Sequence, residues 1–441
     1  MGNSAETSTD LQIERVLKVV EALKDELVDA VSAVIQLPSV NPRYPGQRYE
    51  EVVGGEGEVA RFLGGLYEQA GCELEVFGAE SGRNNCVGVL RGRSGGRSLI
   101  FNGHVDVVPP GNGDEWTSGD PWDGRVDGGR IWGRGACDMK GGLVAQAIAA
   151  KAVHAAEVTL RGDLILEAVV GEEMMEHELG TSACIARGYR ADAAVVAEPS
   201  APPTPLAVAP VTAGVMSFTV RVEGKATHPS MRGASIHAGG YGEEVGVNAI
   251  DKAMVVYDAL RSLERDWGLE KRHPFFPPGH FAIMPGVFVG APRTGQVPFF
   301  IPDQARLDYV VIYHPDDPPE SVREEIEDRI AGRSQLDGWL RKHRPVVEWL
   351  HHWPRSALDP AHPIVKALAD SHERASGEPA TVAGFAAVHD ATFLNAAGIP
   401  ALSYGPGDLR VAHAADEHVQ IDELVAAAKT YAALAVLWCG A

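Results

Sequence analysis

Apolar residues recur at three- and four-residue intervals over 12–37 (Ile13, Val16, Leu17, Val20, Leu23, Leu27, Val31, Ile35), the spacing that lays one stripe along a helix. Pro38 and Pro42 stop it. A second helix is predicted over 57–70, with Val59, Phe62 and Leu66 on one side, and short strands over 73–77 and 85–90. The apolar run Leu99-Ile100-Phe101 then reads as a buried strand that ends in His104-Val105-Asp106. A helical pattern over 141–156 (Leu143, Ala147, Ala150) precedes two further apolar strands, 163–170 and 191–197. Helices alternating with uniformly apolar strands predict an α/β fold, a sheet with helices on both faces. In such sheets ligands collect beyond the carboxyl ends of the strands.

Pro202, Pro203, Pro205 and Pro210 mark a change of domain. Beyond them the pattern becomes strand 217–223, helix 247–267, strands 286–289 and 305–313, helix 319–330 and strand 345–349. The order β-α-β-β-α-β is that of a ferredoxin-like unit. After Trp353 the α/β pattern resumes with a helix over 364–375, a short helix over 391–397 with Asp390 as its N-cap, a strand over 399–404 and a closing helix over 424–437. The predicted organisation is a discontinuous domain, 1–209 with 354–441, carrying an inserted domain, 210–353.

A chain of 441 residues, 45% hydrophobic and 22% charged, is an ordinary globular protein. Its net charge of -21 argues against a nucleic-acid partner, which needs basic clusters, and is the sign expected where carboxylates gather around cations. No run approaches the ~18 apolar residues needed to cross a membrane, and the N-terminal segment lacks a basic stretch followed by an apolar one, so no membrane or secretory role is expected. The five cysteines (Cys72, Cys86, Cys137, Cys184, Cys439) are scattered and form no C-x-x-C pair. They predict neither a disulfide framework nor a cysteine zinc site, and fit a cytoplasmic location.

The candidate chemistry lies at the strand ends. Side chains two apart on a strand point the same way, so His104 and Asp106 share a face, the arrangement in which an imidazole binds a metal while a carboxylate fixes its other nitrogen. An isolated His-x-Asp is more often a solvated polar pair. Here a loop rich in Gly, Pro and Trp follows, and it delivers Asp138 just before a helix. Cys137 beside it reads as a small filler rather than a nucleophile. The 163–170 strand ends in Gly171-Glu172-Glu173. Adjacent carboxylates off a strand end point in different directions, so one can hold a metal while the other faces its water, the division that hydrolysis needs. Alone, a Glu-Glu pair would be a solvated turn. Pro199 biases Glu198 to an extended backbone and so places a third carboxylate at a strand end. His389 either lines the pocket or packs, and His418 reads as a surface residue. No G-x-S-x-G elbow is present, which argues against a serine hydrolase.

Gly103-His104-Val105-Asp106-Val107-Val108-Pro109, Trp116, Pro121, Gly133-Arg134-Gly135 and Asp138-Met139-Lys140 together closely resemble the signature of the M20 family of metallo-aminoacylases and exopeptidases. Acetylornithine deacetylase, succinyl-diaminopimelate desuccinylase and glutamate carboxypeptidase are members. Within it the chain is most similar to the ArgE/DapE-type deacylases, along essentially its whole length. The resemblance implies a phosphorylase/hydrolase-like mixed sheet with an inserted lid and dimerisation domain. It makes Glu172 the general base and Glu173 and Glu198 metal ligands, and it assigns the last ligand to His413 in Val411-Ala412-His413-Ala414-Ala415-Asp416-Glu417. Gly224-Lys225-Ala226-Thr227-His228-Pro229-Ser230 resembles the lid segment whose histidine, here His228, steadies the oxyanion in an active site, commonly the partner subunit's.

The implied site holds two divalent ions, zinc first, with cobalt or manganese as alternatives. Asp138 would bridge them, with His104 and Glu198 on one ion and Glu173 and His413 on the other, while Asp106 orients His104. The implied reaction is hydrolysis of a C–N amide bond in a small N-acylated, amino-acid-like substrate by a homodimer. Exopeptidase activity and hydrolysis of a non-peptide C–N bond are the alternatives, and a metal-binding scaffold without activity is a distant one. One departure bears on substrate. Amino-acid-specific members place an Arg near the end of the 305–313 strand to grip a carboxylate in two-point fashion; this strand ends in Tyr313, with Arg232, Arg293 or Arg306 as possible substitutes.

Overall fold

The structure, a computed structural model, describes residues 2–200, 204–237, 239–295 and 297–441. Pro202 and Pro203, two of the prolines that mark the domain change, lie outside them. The chain divides into two compact units: 1–212, 356–385 and 389–441 in one, 213–355 with 386–388 in the other.

The first unit is built on a mixed sheet. Its strands run in the order Glu73–Glu80, Arg83–Leu90, Leu164–Val169, Leu99–His104, Ala194–Val196, Ala401–Ser403, Val208–Thr212, Ser356–Ala357, and Val382–Phe385 also pairs with Val208–Thr212. The four strands from Leu164–Val169 to Ala401–Ser403 are mutually parallel. Every residue of Leu99–His104 and Leu164–Val169 is buried, as expected of strands covered on both faces. At Gly103 an added Cβ would lie 2.6 Å from Met139 Cε and 2.9 Å from Leu143 Cδ2, so the glycine lets helix Gly141–Ala155 close onto this face. Asn102 and His104 alternate to the other face, where Thr181 of helix Thr181–Ala186 accepts a hydrogen bond from Asn102 Nδ2 at 3.0 Å. Both faces are therefore covered, and the α/β expectation holds.

Differences from the sequence expectation are local. The predicted 12–37 helix is two helices, Gly2–Ala22 and Lys24–Ile35; Val16, Val20, Leu27, Val31 and Ile35 all face one core, so the stripe carries no mark of the break. Pattern did not reveal Val208–Thr212, Ser356–Ala357 or Val382–Phe385 in the main sheet, and the first of these spans the expected domain boundary at 209/210, which falls after Thr212 instead. Three more unrevealed strands, Arg125–Asp127, Arg130–Trp132 and His418–Gln420, form a small separate sheet. Each has three residues, too few for a period to show.

The second unit contains strand Gly214–Glu223, helix Ala249–Glu270, strands Ala282–Ala291 and Gln304–Tyr313, helix Pro319–Gln335 and strand Val346–Trp353. This is the predicted β-α-β-β-α-β order. Its antiparallel sheet runs Ala282–Ala291, Gln304–Tyr313, Gly214–Glu223, Val346–Trp353, so Ala282–Ala291 is an edge strand.

Candidate metal centre

Parallel pairing brings three strand ends to one side of the sheet. His104 pairs with Val169, and Asn102 with Val196, so the residues just beyond these strands (Asp106, Glu172, Glu173 and Glu198) leave the sheet at the same edge. His104 Nε2 lies 3.0 Å from Asp138 Oδ1 and 3.5 Å from Glu198 Oε1. His413 Nε2 lies 3.3 Å from Asp138 Oδ2 and 3.2 Å from Glu173 Oε2. Asp138 thus offers one oxygen to each imidazole. Glu172 Oε2 stands 3.9 Å from His104 Nε2, and ligand atoms of His104, Asp138 and Glu173 all fall within 4.8 Å of one another.

The donor set fits divalent cations. Ligands about 2.0–2.1 Å from a tetrahedral ion stand roughly 3.3 Å apart, close to the spacings within each imidazole–carboxylate group. Charge points the same way. Burial first, and then repulsion from neighbouring carboxylates, raises the carboxyls of Glu172, Glu173 and Glu198, the last to about 7; Asp138 is the repelling neighbour of Glu173 and the larger one for Glu198. Burial opposes a charge on His104, yet Asp138, Glu198 and Glu172 hold its pKa well above the usual imidazole range; His413, against the same opposition, is pushed up to about 11 by Asp138 and Glu173. Asp138, held between the two imidazoles, is the one acid of the set shifted downward; three raised glutamates beside two raised imidazoles describe a buried cluster short of positive charge. Glu173 Oε1 is buried and has no hydrogen-bond partner, which leaves it available as a ligand.

Two carboxylates outside the donor set hold its loops. Asp106 accepts hydrogen bonds from the backbone N–H groups of Gly171, Glu172 and Glu173 at 2.9, 3.3 and 3.1 Å, and from Asn41 Nδ2 at 2.8 Å. The expected carboxylate bond to His104 is not made, because that carboxylate is occupied by the turn: Asp106 Oδ1 is 3.8 Å from His104 Nδ1. His104 Nδ1 donates instead to the Asp106 main-chain carbonyl at 2.8 Å, which leaves Nε2 free for a metal. Glu417 plays the matching part for Asp138. It is fully buried and accepts from the N–H groups of Gly135, Cys137 and Asp138 at 3.0, 2.9 and 3.1 Å while bonding Arg134. Glu417 was missed in the sequence because an acid that grips only backbone has no partner whose spacing would reveal it.

The other candidates are placed as follows. Cys137 is buried, its Sγ 3.4 Å from Asp408 O, and burial raises its thiol well above the usual range, so it is a filler. His389 is buried with Nδ1 accepting from Ala391 N–H at 3.2 Å and Phe385 edge-on to its ring; burial depresses it to about 3. Asp390 precedes helix Ala391–Ala396 but makes no side-chain cap; it is buried, and burial raises its carboxyl to about 6. His418 is half-buried rather than on the surface, its Nδ1 donating to Asp416 O at 2.8 Å and its ring against Trp132. His228 belongs to the second unit, where it is exposed and its Nδ1 lies 2.7 Å from Ser230 Oγ. Tyr313, also there, is buried with its hydroxyl 2.8 Å from His352 Nε2.

Residues 100–436 match Peptidase family M20/M25/M40, and the chain belongs to that family. It is accordingly a metal-dependent hydrolase of C–N amide bonds. It is similar to the N-formyl-4-amino-5-aminomethyl-2-methylpyrimidine deformylases of Bacillus subtilis, 35% identical over 98% of each chain, and Halalkalibacterium halodurans, 34% identical over 97% of each. A probable succinyl-diaminopimelate desuccinylase of Staphylococcus epidermidis is 26% identical over 83% of this chain and 89% of its own. Among solved structures, the di-peptidase Dug1p from Saccharomyces cerevisiae superposes with a TM-score of 0.72 over 97% of this chain and 99% of its own at 15% identity, a likeness of fold.

Proposed function

We propose that this protein is a two-metal deformylase or closely related deacylase that releases a small amine from its N-formyl or N-acyl form. The observation that carries the two-metal reading is Asp138 set between two imidazoles, each with its own glutamate, with Glu172 beside the cluster. His104, Asp138 and Glu198 would hold one ion and His413, Asp138 and Glu173 the other, zinc before cobalt or manganese. Such a pair, when bound, lowers the pKa of a water towards 7 and polarises the scissile carbonyl.

Glu172 takes a proton from the attacking water onto its carboxylate as the new C–O bond forms. It returns that proton to the leaving nitrogen as the C–N bond breaks and nitrogen keeps the bonding pair. Asp106 holds Glu172 and Glu173 in place through their amides, and the Asp106 carbonyl fixes His104. His228, from a partner subunit, steadies the oxyanion. The second unit would then be a lid and dimerisation domain: its edge strand exposes Met284, Val287, Phe288 and Val289, the kind of edge that a second copy covers. Unpaired thiols throughout support a cytoplasmic location.

Two observations favour a formylated heteroaromatic amine over an N-acyl amino acid. The near full-length likeness to the deformylases is one. The other is Tyr313, hydrogen-bonded to His352, at the strand end where amino-acid-specific members place a guanidinium. Formate release from an N-formyl aminomethylpyrimidine by the zinc-loaded protein, compared with acetate, succinate or amino-acid release from N-acetylornithine, N-succinyl-diaminopimelate and dipeptides, tests this. Faster turnover of the succinyl or dipeptide substrate would refute it.

A further inference from the structure

One group of buried charges has no part in the chemistry above. The Arg83 guanidinium is wholly buried; its Nε and Nη2 donate to the two oxygens of buried Glu56 at 2.6 and 2.9 Å. Its Nη1 lies 2.8 Å from Glu176 Oε2, off the axis of a directed hydrogen bond and so a Coulombic contact. Glu176 also receives Arg43 Nη1, and Arg43 Nη2 reaches Glu80 at 2.5 Å.

Glu176 ends the turn that carries Glu172 and Glu173. Its N–H donates to Gly171 O at 2.7 Å, and the single 3-10 turn between is bounded by Gly171 and Met175, both left-handed at φ +92° and +59°. Left-handed backbone at a methionine is unfavourable, so the turn does not hold its shape by local preference. Asp106 grips its first half, through residues 171–173; the Glu176 carboxylate grips its far end. The two grips meet in one segment: Asn41 Nδ2 donates to Asp106, Arg43 N–H donates to Asn41 Oδ1 at 3.0 Å, and the Asn41 N–H donates to Val107 O at 3.0 Å.

We infer that Arg43 and Glu176 are positioning residues for Glu172 and Glu173, their ion pair fixing the far end of the turn whose near end Asp106 holds. The inference rests on Glu172 being the base. Glu176→Gln keeps the shape and removes the charge. Arg43→Ala removes the partner at a side chain 46% exposed, where folding is not at stake, and Arg43→Lys returns the charge without the fork.

The Gln and Ala variants are expected to lower kcat about 10- to 100-fold with KM within about twofold, and Arg43→Lys to recover part of it. Calorimetric titration of the metal-free protein with Zn2+ should show one of two affinities weakened by a similar factor and the other unchanged. A merely structural role would lower Tm and leave kcat and both zinc affinities in place, and that result overturns the inference. Glu172→Gln is measured alongside. If it turns over normally, the base assignment and this inference fall together; if it is inactive while Glu176→Gln and Arg43→Ala match the unmodified enzyme, this inference alone falls.

Discussion

The two halves of the candidate metal centre are built differently. His104 ends a buried strand and is 1% exposed, with Glu198 at 4%, so their positions are set by the sheet. His413 sits in a loop, left-handed at φ +60°, with its side chain 52% exposed, and its carboxylate partner Glu173 belongs to a turn held by Asp106. One half is fixed by hydrophobic packing of strands, the other by carboxylates gripping backbone amides. Packing tolerates no rearrangement, whereas a loop held by polar contacts can yield, so ion affinity should divide between the halves along this line.

The largest effect expected belongs to neither half. Glu172→Gln should cut turnover by about 10²–10⁴-fold with metal content unchanged by elemental analysis; a loss of metal would make Glu172 a ligand instead. Next, His413→Ala should leave one tightly held zinc equivalent and an unchanged melting temperature, while His104→Ala, which empties a buried position, should lower both metal content and stability. Equal zinc loss in the two variants would erase the distinction. Glu417→Gln weakens the grip on three amides and breaks the buried pair with Arg134, so about 3–5 kcal/mol of stability should go, read as a lowered Tm, together with a 10- to 100-fold loss of metal affinity or activity.

The smallest effect concerns the sheet beneath His104. Glu167 is buried beside Asn102, and burial pushes its carboxyl from an ordinary 4.5 to about 8. A folded pKa above the unfolded one means that the native state holds a proton the unfolded chain has released. The stability it confers is complete below about pH 4.5 and is lost as pH rises towards 8. Glu167→Gln should therefore flatten the fall in Tm between pH 5 and 8, and an unaltered slope would show that Glu167 ionises normally.

How far the sequence revealed this site depends on what holds each residue. His104, Glu172, Glu173 and Glu198 follow apolar strands, so hydrophobic pattern and topology located them. Asp138 follows a loop and was legible because a helical apolar pattern begins just after it. His413, in an irregular loop, was found only through its motif. Glu417 and Glu176 stayed hidden because their partners lie far along the chain: amides at 135–138 for one, Arg43 and Arg83 for the other. Asp106 was found, but its carboxylate was given the wrong partner, since strand alternation says which face a side chain takes and not which neighbour reaches it first. The β-α-β-β-α-β order of the second unit was readable because its four strands and two long helices each run eight residues or more, enough to show a period; the short helical turns over 229–236 and 242–244 were not.

The order of the donors along the chain carries a consequence for synthesis. His104, Asp138, Glu173 and Glu198 all precede the second unit, which begins at Ala213, whereas His413 follows it. On the proposed ligand sets, a nascent polypeptide emerging from the ribosome would carry every donor for one ion early, and would gain the last donor for the other only after the whole intervening unit has been made.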